Sequence, residues 1–568
     1  MPATTIRRDK RVINNVKTEA AGKFADQLRE NSVNKEKGVF DSAAANEFVL
    51  DAVGQSESKV PETLQAVFDE VGQENSAAIS KAILDGAAQY EAMHGSAVPA
   101  DVMEYAFHMA YGTTGSAKKI MALDSANNNH ADNLSLQPNR AVVAIYTALM
   151  EAIPFAHYLP ADIGSNEGKL GIVTHQAGSA FGLYEANAGM DGVGSGDPYI
   201  TSSRIHATTN ATGAHSGQLT NIQATRETCK TVVSGAIAVN LLRGRSQVYV
   251  NGKIVAREIS ASGSGVSTVS GSVIIAGVTS QIAGTINTDT GVIALTSTPA
   301  LANTVPVIVE GFLDYDRQPS LTPNIITNVD MFSLWAKPWR VYTQHSMEAQ
   351  TQMSNELGLD PYSESLIALQ SQFANERHYE VIAKAYRLAK FGGNSGTFDF
   401  NWAGATGQGL QKTRADVLQD LQSPLGALSQ QMAIDTMSYG ISHLYVEKYM
   451  AAMFLSLPST IWQPSGVQAR PGIYRLGRLF NQYDVYYTPK IVPGTTSAAD
   501  ILCIGRAPDV ARNPFVLGDA VPATVVPLGV GIDLKRGAGF YARNFTEVNP
   551  HGPSSMGCAL LTVNNLGL

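Results

Sequence analysis

Asp289-Thr290-Gly291 is the one stretch of the 568-residue chain whose residue types and spacing match a catalytic signature. Asp-Thr-Gly carries the carboxylate of aspartic-type peptidases, a chemistry that needs two carboxylates sharing one proton. No second Asp-Thr-Gly or Asp-Ser-Gly occurs, so a peptidase using Asp289 would have to complete its pair in a homodimer. The simpler reading is a turn. Asn287-Thr288-Asp289-Thr290-Gly291 lies between two strand-like runs, where Asp and Gly are standard turn residues. Other chemistry is missing. There is no Gly-x-Ser-x-Gly elbow, no Gly-Lys-Ser/Thr phosphate loop and no His-Glu-x-x-His. The eleven histidines are scattered, with His94 and His108, His206 and His215, and His443 and His551 at no metal-ligand spacing, so each is expected in an ordinary polar contact. Cys229, Cys503 and Cys558 lie far apart and form no Cys-x-x-Cys. The sequence therefore predicts no catalytic, cofactor-binding or metal-binding residue, and no enzyme.

The elements that hold these residues are uneven in charge. Residues 1–40 carry nine Lys/Arg against five Asp/Glu, and residues 41–110 carry two against twelve. Opposed blocks of this kind are either contact surfaces or solvated helical faces. Over the whole chain charged residues are only 16% and the net charge is -8, which excludes a strongly basic nucleic-acid binder. The longest apolar run, Ala141 to Leu149, is stopped by Glu151 and Pro154, short of the ~20 residues a membrane helix needs. Arg7-Arg8-Asp9-Lys10-Arg11 opens a polar N-terminus without a secretory core, which places synthesis in a cytoplasm-like compartment.

Leu64, Val67, Phe68 and Val71, then Ile79, Ile83 and Leu84, recur at helical spacing and predict a helical N-terminal region over 1–135. Asn127-Asn128-Asn129 and Pro138 mark its end. From Arg140 a short helix gives way to a glycine-rich stretch, Gly164 to Gly196, read as a long two-stranded loop that is unstable alone and needs another surface. Residues 246–315 read as a separate β-sandwich or barrel. Gln247–Val250 and Lys253–Val255 flank an Asn251-Gly252 turn, and strands follow at Ser272–Ile275, Gly284–Asn287, Gly291–Leu295 and Thr304–Glu310. Asp289 is the only charge between Ile259 and Val309, and that interval has no aromatic platform for a sugar. The module is thus expected to work by contact on a neighbour's 160–200 loop, with a host-surface or glycan contact as the alternative.

Asp360-Pro361 then starts a long helix with Leu366, Leu369, Phe373, Ile382, Tyr386 and Ala389 on one face, ended by Gly392-Gly393. A second long helix is predicted from about Leu425 to Leu457, with Gly440 as a possible divider and Pro458 as its stop. Tyr483–Thr488, Ile501–Gly505 and Ala559–Val563 are the C-terminal strands.

Lys337-Pro338-Trp339-Arg340-Val341-Tyr342, then Glu348, then Leu357-Gly358-Leu359-Asp360-Pro361-Tyr362-Ser363-Glu364-Ser365-Leu366, resembles the major capsid proteins of T-even-type myoviruses. Pro361 stands where that family often has Ala. The resemblance covers about 140–568 and implies an α+β fold of the Hong Kong 97 type. Positions 140–160 resemble its N-arm, 160–200 its extended loop (E-loop), 360–392 the spine helix of its peripheral domain, and roughly 395–540 its axial domain. The domain expectation is therefore a helical region over 1–135, N-arm and E-loop over 136–245 and the inserted β-domain over 246–315. The peripheral domain with the spine helix follows over 316–394, then the axial domain with a C-terminal return over 395–568.

The resemblance implies a virion protein that self-assembles into hexamers and pentamers of an icosahedral head. Scaffold, portal and decoration proteins are its implied partners, with packaged DNA touched non-specifically on the inner face and no membrane. It implies a virion location, with assembly in the host cytoplasm. A pentameric vertex protein or another virion component is the alternative within the class. T-even-type relatives lose an N-terminal piece after Leu-x-Glu or Ile-x-Glu. Leu28-Arg29-Glu30 fits that pattern, as do Glu151, Glu185 and Glu310, and the region is expected to be retained.

Overall fold

The computed structural model describes residues 19–33, 40–54, 60–71, 76–114, 141–159, 166–223, 236–261, 265–356, 361–402, 407, 411–528 and 535–567. It divides into two units, one of residues 1–172 and 331–568, the other of residues 173–330. The first is mixed α and β, the second all β among the described residues apart from two short 3-10 turns.

In the first unit helices form over the two stretches where the spacing predicts them, 62–71 and 76–94, and others flank these. Residues 19–32, Ser42–Gly54, Glu62–Val71, Ser76–His94 and Ala100–Thr114 are helical, and so are residues 141–150. Their apolar faces, including Phe24, Leu28, Leu64, Phe68, Ile79, Ile83 and Phe107, enter one core with Val381, Ile382, Ala385 and Ala389 of a helix three hundred residues later. Each fully buried side chain of this size contributes about 1.5–3 kcal/mol. The expected boundary near residue 135 falls outside the described residues.

That later helix, Pro361–Phe391, is the long rod predicted, 31 residues, or ~46 Å at 1.5 Å per residue. Residues 357–360 of the motif before it, and the side chain of Leu366, lie outside the description. Phe373 packs against Phe540, Ala542 and Trp339 of a four-stranded sheet, and Tyr386 donates to Asp500 on a second, seven-stranded sheet. The rod therefore spans both sheets. Arg377 pairs with buried Asp519 at 3.2 Å, beside the irregularity where the Phe515–Leu528 strand slips against Lys535–Val548.

The four-stranded sheet runs His157–Tyr158, Phe515–Leu528, Lys535–Val548, Lys337–Ser346, the last at its edge. Residues 515–548 thus leave the sheet built by their neighbours, where the resemblance put the axial domain through about 540. The seven-stranded sheet runs Ser395–Asp399, Cys558–Asn564, Ala498–Gly505, Ile441–Val446, Tyr483–Tyr487, Tyr474–Leu479, Trp462–Pro464.

The helix expected over 425–457 is corrected: Gln422–Thr436 is helix, Ile441–Val446 is a central strand, and Lys448–Leu455 is helix again. Met437 takes a left-handed cap at φ 60°, and Gly440 lies so close to Ser429 that a side chain there would collide. Ile441-Ser442-His443-Leu444-Tyr445-Val446 is rich in β-branched and aromatic residues, and the sheet buries it.

In the second unit a nine-strand order begins with Ser203–Ala207 and ends with Thr209–Ala211. Only Thr208 separates those two pieces, so one extended segment pairs with Val307–Phe312 on one side and Ala214–Gln218 on the other. The sheet closes into a barrel, which removes exposed edges. Gln247–Val250, Lys253–Ala261, Val266–Ile275, Val278–Asn287 and Val292–Thr298 complete it. The Asn251-Gly252 turn forms with φ of 50° and 76°, as an Asn-Gly hairpin requires. The barrel is wider than the 246–315 module expected, because Ser203–Gln218 supplies strands whose short polar runs carried no strand signal.

The glycine-rich stretch also differs from its reading as a self-paired loop over 160–200. Glu167–Ala177 pairs with Ile325–Trp335. The ribbon is antiparallel: Ala336 N donates to Asn166 O at 2.9 Å near one end, and Gly178 N to Asn324 O at 2.8 Å at the other. The whole barrel is spliced between these two strands.

Candidate functional site

Asp289 lies in the turn predicted for it. The Asn287 side chain accepts from Asp289 N at 2.9 Å and Thr290 N at 3.2 Å, which is how Asn builds a turn. Its carboxylate is ion-paired to Arg317, with Arg243 at 3.6 Å. The peptidase reading needs a second carboxylate beside this one, and the groups placed at Asp289 here are the guanidinium groups of Arg317 and Arg243.

Several of the described histidines sit in ordinary contacts, while His206 Nδ1 is buried without a hydrogen-bond partner and His130 lies outside the described residues. His94 Nδ1 meets the Tyr486 hydroxyl and His378 Nε2 the Tyr445 hydroxyl, both at 3.1 Å, and the two tyrosine rings stack at 5.2 Å. His215 bridges Asn210 at 2.7 Å and Ser297 at 2.9 Å, and His551 caps a turn through Ser554. Burial lowers the pKa of His94 to about 3, His378 to about 4 and His443 to about 3. Cys503 and Cys558 are buried and free; in register Cys503 faces Ala559 and Ile504 faces Cys558, so the two thiols lie on opposite faces of their sheet. Cys229 lies outside the described residues.

One cluster has the makings of an acid–base site and is not one. Asp101 lies 3.0 Å from His157 Nδ1 and accepts from Arg506 at 2.8 Å. Burial raises the Asp101 pKa, but the His157 hydrogen bond and charge, with Arg506, outweigh it and hold the carboxyl below its usual range. His157 Nε2 is taken by the Ala507 carbonyl at 2.7 Å, so no nucleophile can use it. Arg506 also donates to Pro154 O at 2.8 Å. The cluster fastens the Ala100–Thr114 helix to the 154–157 segment and to the end of the Ala498–Gly505 strand.

What the chain does present is a surface. On the ribbon strand Ile325–Trp335, five large apolar side chains are open to solvent: Ile325, Ile326, Val329, Met331 and Trp335, the last 62% exposed. The edge strand Lys337–Ser346 continues it in sequence with Val341 and with Tyr342, 72% exposed. The opposite side of the ribbon's first-unit end is buried, where Leu170, Ile172, Leu334 and Ala336 pack on Val516 and Phe545. Sequence reading found Trp339 to Tyr342 as a motif but missed 325–335. The alternation there is one of exposed apolar residues, which looks the same as core alternation until the partner strand is known.

No family model matches the chain, and no curated protein matches it. Among solved structures it is similar to the capsid of the jumbo bacteriophage PhiKZ, at 9% identity and a TM-score of 0.35 over 72% of this chain and 91% of that one. It is similar to the capsid of Myoviridae phage XM1, at 10% identity and a TM-score of 0.27 over 58% and 90%. It is similar to the head structure of Helicobacter pylori bacteriophage KHP40, at 10% identity and a TM-score of 0.30 over 44% and 79%.

Proposed function

We propose that the chain is a major capsid protein that self-assembles into the icosahedral head of a tailed bacteriophage. One observation carries the reading: a two-stranded ribbon with five exposed large apolar residues on one strand. A ribbon of two strands is marginal on its own in water, and clustered apolar exposure marks a protein contact. Further copies of the chain are the cover. Each contact of a standard ~1,600 Å² is modest, and several closing together make a shell effectively irreversible. The resemblance at 337–366 supports the same reading, as does the order of ribbon, edge strand, short helix Met347–Glu356 and long rod.

In this reading the ribbon is the E-loop, Pro361–Phe391 the spine helix and the seven-stranded sheet the axial domain. The barrel works by contact on a neighbouring copy. Scaffold, portal and decoration proteins and the inner-face DNA are the further partners of the particle, and the N-terminal helices stay attached. Leu28 is fully buried inside a helix, so a protease needing extended backbone at Glu30 would have to unfold it. Mass spectrometry of mature particles should find a start before Asn31.

Electron microscopy of the purified protein tests the main reading. Closed particles are expected, and Trp335→Ser should leave dispersed subunits. A stable monomer at high concentration would overturn it.

A further inference from the structure

The two ends of the barrel carry different features. Val250 pairs with Val307 at one end of the Val307–Phe312 strand, and Ser203 pairs with Phe312 at the other. The turn at 251–252 belongs to the first end, because Val250 pairs with Lys253. Ala261 pairs with Ser267 and Ala256 with Gly271, so the next strand runs back toward Lys253 and the turn at 276–277 lies at that end too.

At the first end one hairpin stands clear of its neighbours. Val266–Ile275 keeps its outer partner up to Gly271, and Val278–Asn287 keeps its own up to Gln281. From Ser272 to Ser280 the two strands pair, among the described residues, with each other alone. This finger has no charged residue, and on it Ile274 is 71% and Val278 52% exposed. Its turn is Ala276-Gly277, at φ of 50° and 80°. The neighbouring hairpin uses Asn251-Gly252 for the same left-handed turn, the pair a solvated turn favours. At 276 a methyl stands where that turn has an amide, in a conformation that disfavours residues other than glycine, asparagine and aspartate. A free ribbon that shows branched aliphatic side chains to water is marginal alone and marks a contact.

At the second end Tyr199, Ile200, Tyr315, Thr322, Pro323 and Ile325 line a pocket of about 220 Å³. None of the six is charged, and Ile200 is 76% exposed. An apolar cavity of ~150 Å³ holds a guest the size of benzene, so this one has room for an isoleucine side chain. Ile325 also begins the ribbon strand whose apolar side chains the capsid reading gives to another copy, so the pocket continues that surface.

We propose that the 272–280 finger of one copy seats Ile274 in this pocket of the next copy. A ten-residue strand at ~3.3 Å per residue holds the finger roughly 30 Å from the pocket of its own barrel, so the two meet between copies. The contact is heterologous, a knob at one end and a hole at the other, and it closes into a ring when the rotation from copy to copy allows. The choice of a second copy as occupant rests on the capsid reading.

Disulfide trapping on the full-length chain tests the contact. Ile274→Cys and Ile200→Cys change exposed side chains, so the variants should fold. Oxidised at high concentration, the double variant should give a ladder of dimers, trimers and larger species on a non-reducing gel, since each copy offers one knob and one hole. Each single variant should give no more than wild type, whose own cysteines set the background. Val278→Cys with Ile200→Cys, on the same finger, is the second pair. A ladder from neither pair overturns the contact and leaves the finger to another molecule. Dimers from Ile274→Cys alone overturn it too, because finger then meets finger. Electron microscopy of the same samples keeps the two readings apart. Closed particles without a ladder overturn the finger contact and leave the capsid reading standing, and a ladder without closed particles does the reverse.

Discussion

In the barrel unit, strands that pair are mostly neighbours in sequence: Val266–Ile275 pairs with Val278–Asn287 across two residues. In the other unit Lys337–Ser346 pairs with Lys535–Val548, and Ser395–Asp399 with Cys558–Asn564. The first arrangement closes short loops and is fast to form, while the second must hold distant segments together before any contact rewards it. The contrast extends to what each core contains. The cluster of the barrel unit joins aliphatic side chains to Phe181, Tyr184 and Tyr199, with Arg204, His215 and Glu258 buried in the same unit, whereas the larger unit buries Asp101 with His157 and Arg506, Arg377 with Asp519, and the histidine–tyrosine stack. Long-range pairing in that unit is thus held by charge and ring contacts between distant segments, while the barrel's pairing rests mainly on hairpins.

The largest effect should come from the rod that spans both sheets. Phe373 is 6% exposed and lies 5.4 Å from Trp339 and 5.0 Å from Phe540, ring to ring. Phe373→Asp places an unpaired charge there, at a cost of about 3–5 kcal/mol. Insoluble or unassembled protein is expected, and normal particles by electron microscopy would show that this face is not buried.

Next comes removal of the barrel. Since Gly178 N already donates to Asn324 O, the two ribbon strands can be rejoined by two glycines in place of 179–323. The remaining chain should fold with unchanged tryptophan emission, because all four tryptophans, 335, 339, 402 and 462, lie outside the barrel. Its particles should melt at a lower temperature than wild type, and equal melting would leave the barrel without a stabilising role. Deleting only 246–315 should do worse, since it removes Val307–Phe312 and Val292–Thr298, the outer partners of Ser203–Gln218.

A smaller effect follows from protonation. His94, His378 and His443 have folded pKa values of about 3, 4 and 3, below the unfolded 6.5. Their stabilising share is therefore complete above pH 6.5 and is lost as pH falls toward 4, at up to ~1.4 kcal/mol per pH unit for each proton taken up. Urea midpoints followed by tryptophan emission should fall on the acid side, and His94→Phe should flatten that limb. An acid limb of unchanged slope in that variant would count against a neutral, buried His94.

Legibility follows the same divide. The rod, the helices at 62–71 and 76–94 and the Asn251-Gly252 hairpin were readable, because periodicity and turn chemistry act over a few residues. The barrel's first strands were not, since Ser203–Gln218 is short and polar and becomes strand only through Val307–Phe312 and Val292–Thr298. Ile441–Val446 read as helix because its flanks are helical, and its conversion is decided by the strands at 483–487 and 498–505 on either side. Of the candidate assembly surface, Trp339 to Tyr342 was visible as a motif, while the ribbon was hidden by a partner strand about 150 residues away.

The smallest effect tests how far the barrel depends on charge at all. Arg317 is its most heavily used cation: Nε donates to Asp314 at 2.7 Å, Nη1 to Asp289, and Nη2 to the Leu241 carbonyl. It ties the segment after the last strand to the turn at 287–291 and to the chain entering the first hairpin. The side chain is 31% exposed, so water and salt share its partners and weaken each pair. Arg317→Ala should therefore cost about 1–2 kcal/mol, most of it from the lost hydrogen bond to the Leu241 carbonyl. Asp289→Asn, which keeps the turn and removes the exposed ion pairs with Arg317 and Arg243, should cost less than Arg317→Ala. Hydrogen exchange of peptides covering 238–244 and 286–292 reads both variants without relying on tryptophan. An Asp289→Asn loss as large as that of Arg317→Ala would make the ion pair, rather than the carbonyl contact, the fastening at this end of the barrel, and would bring the two units closer in kind than their cores suggest.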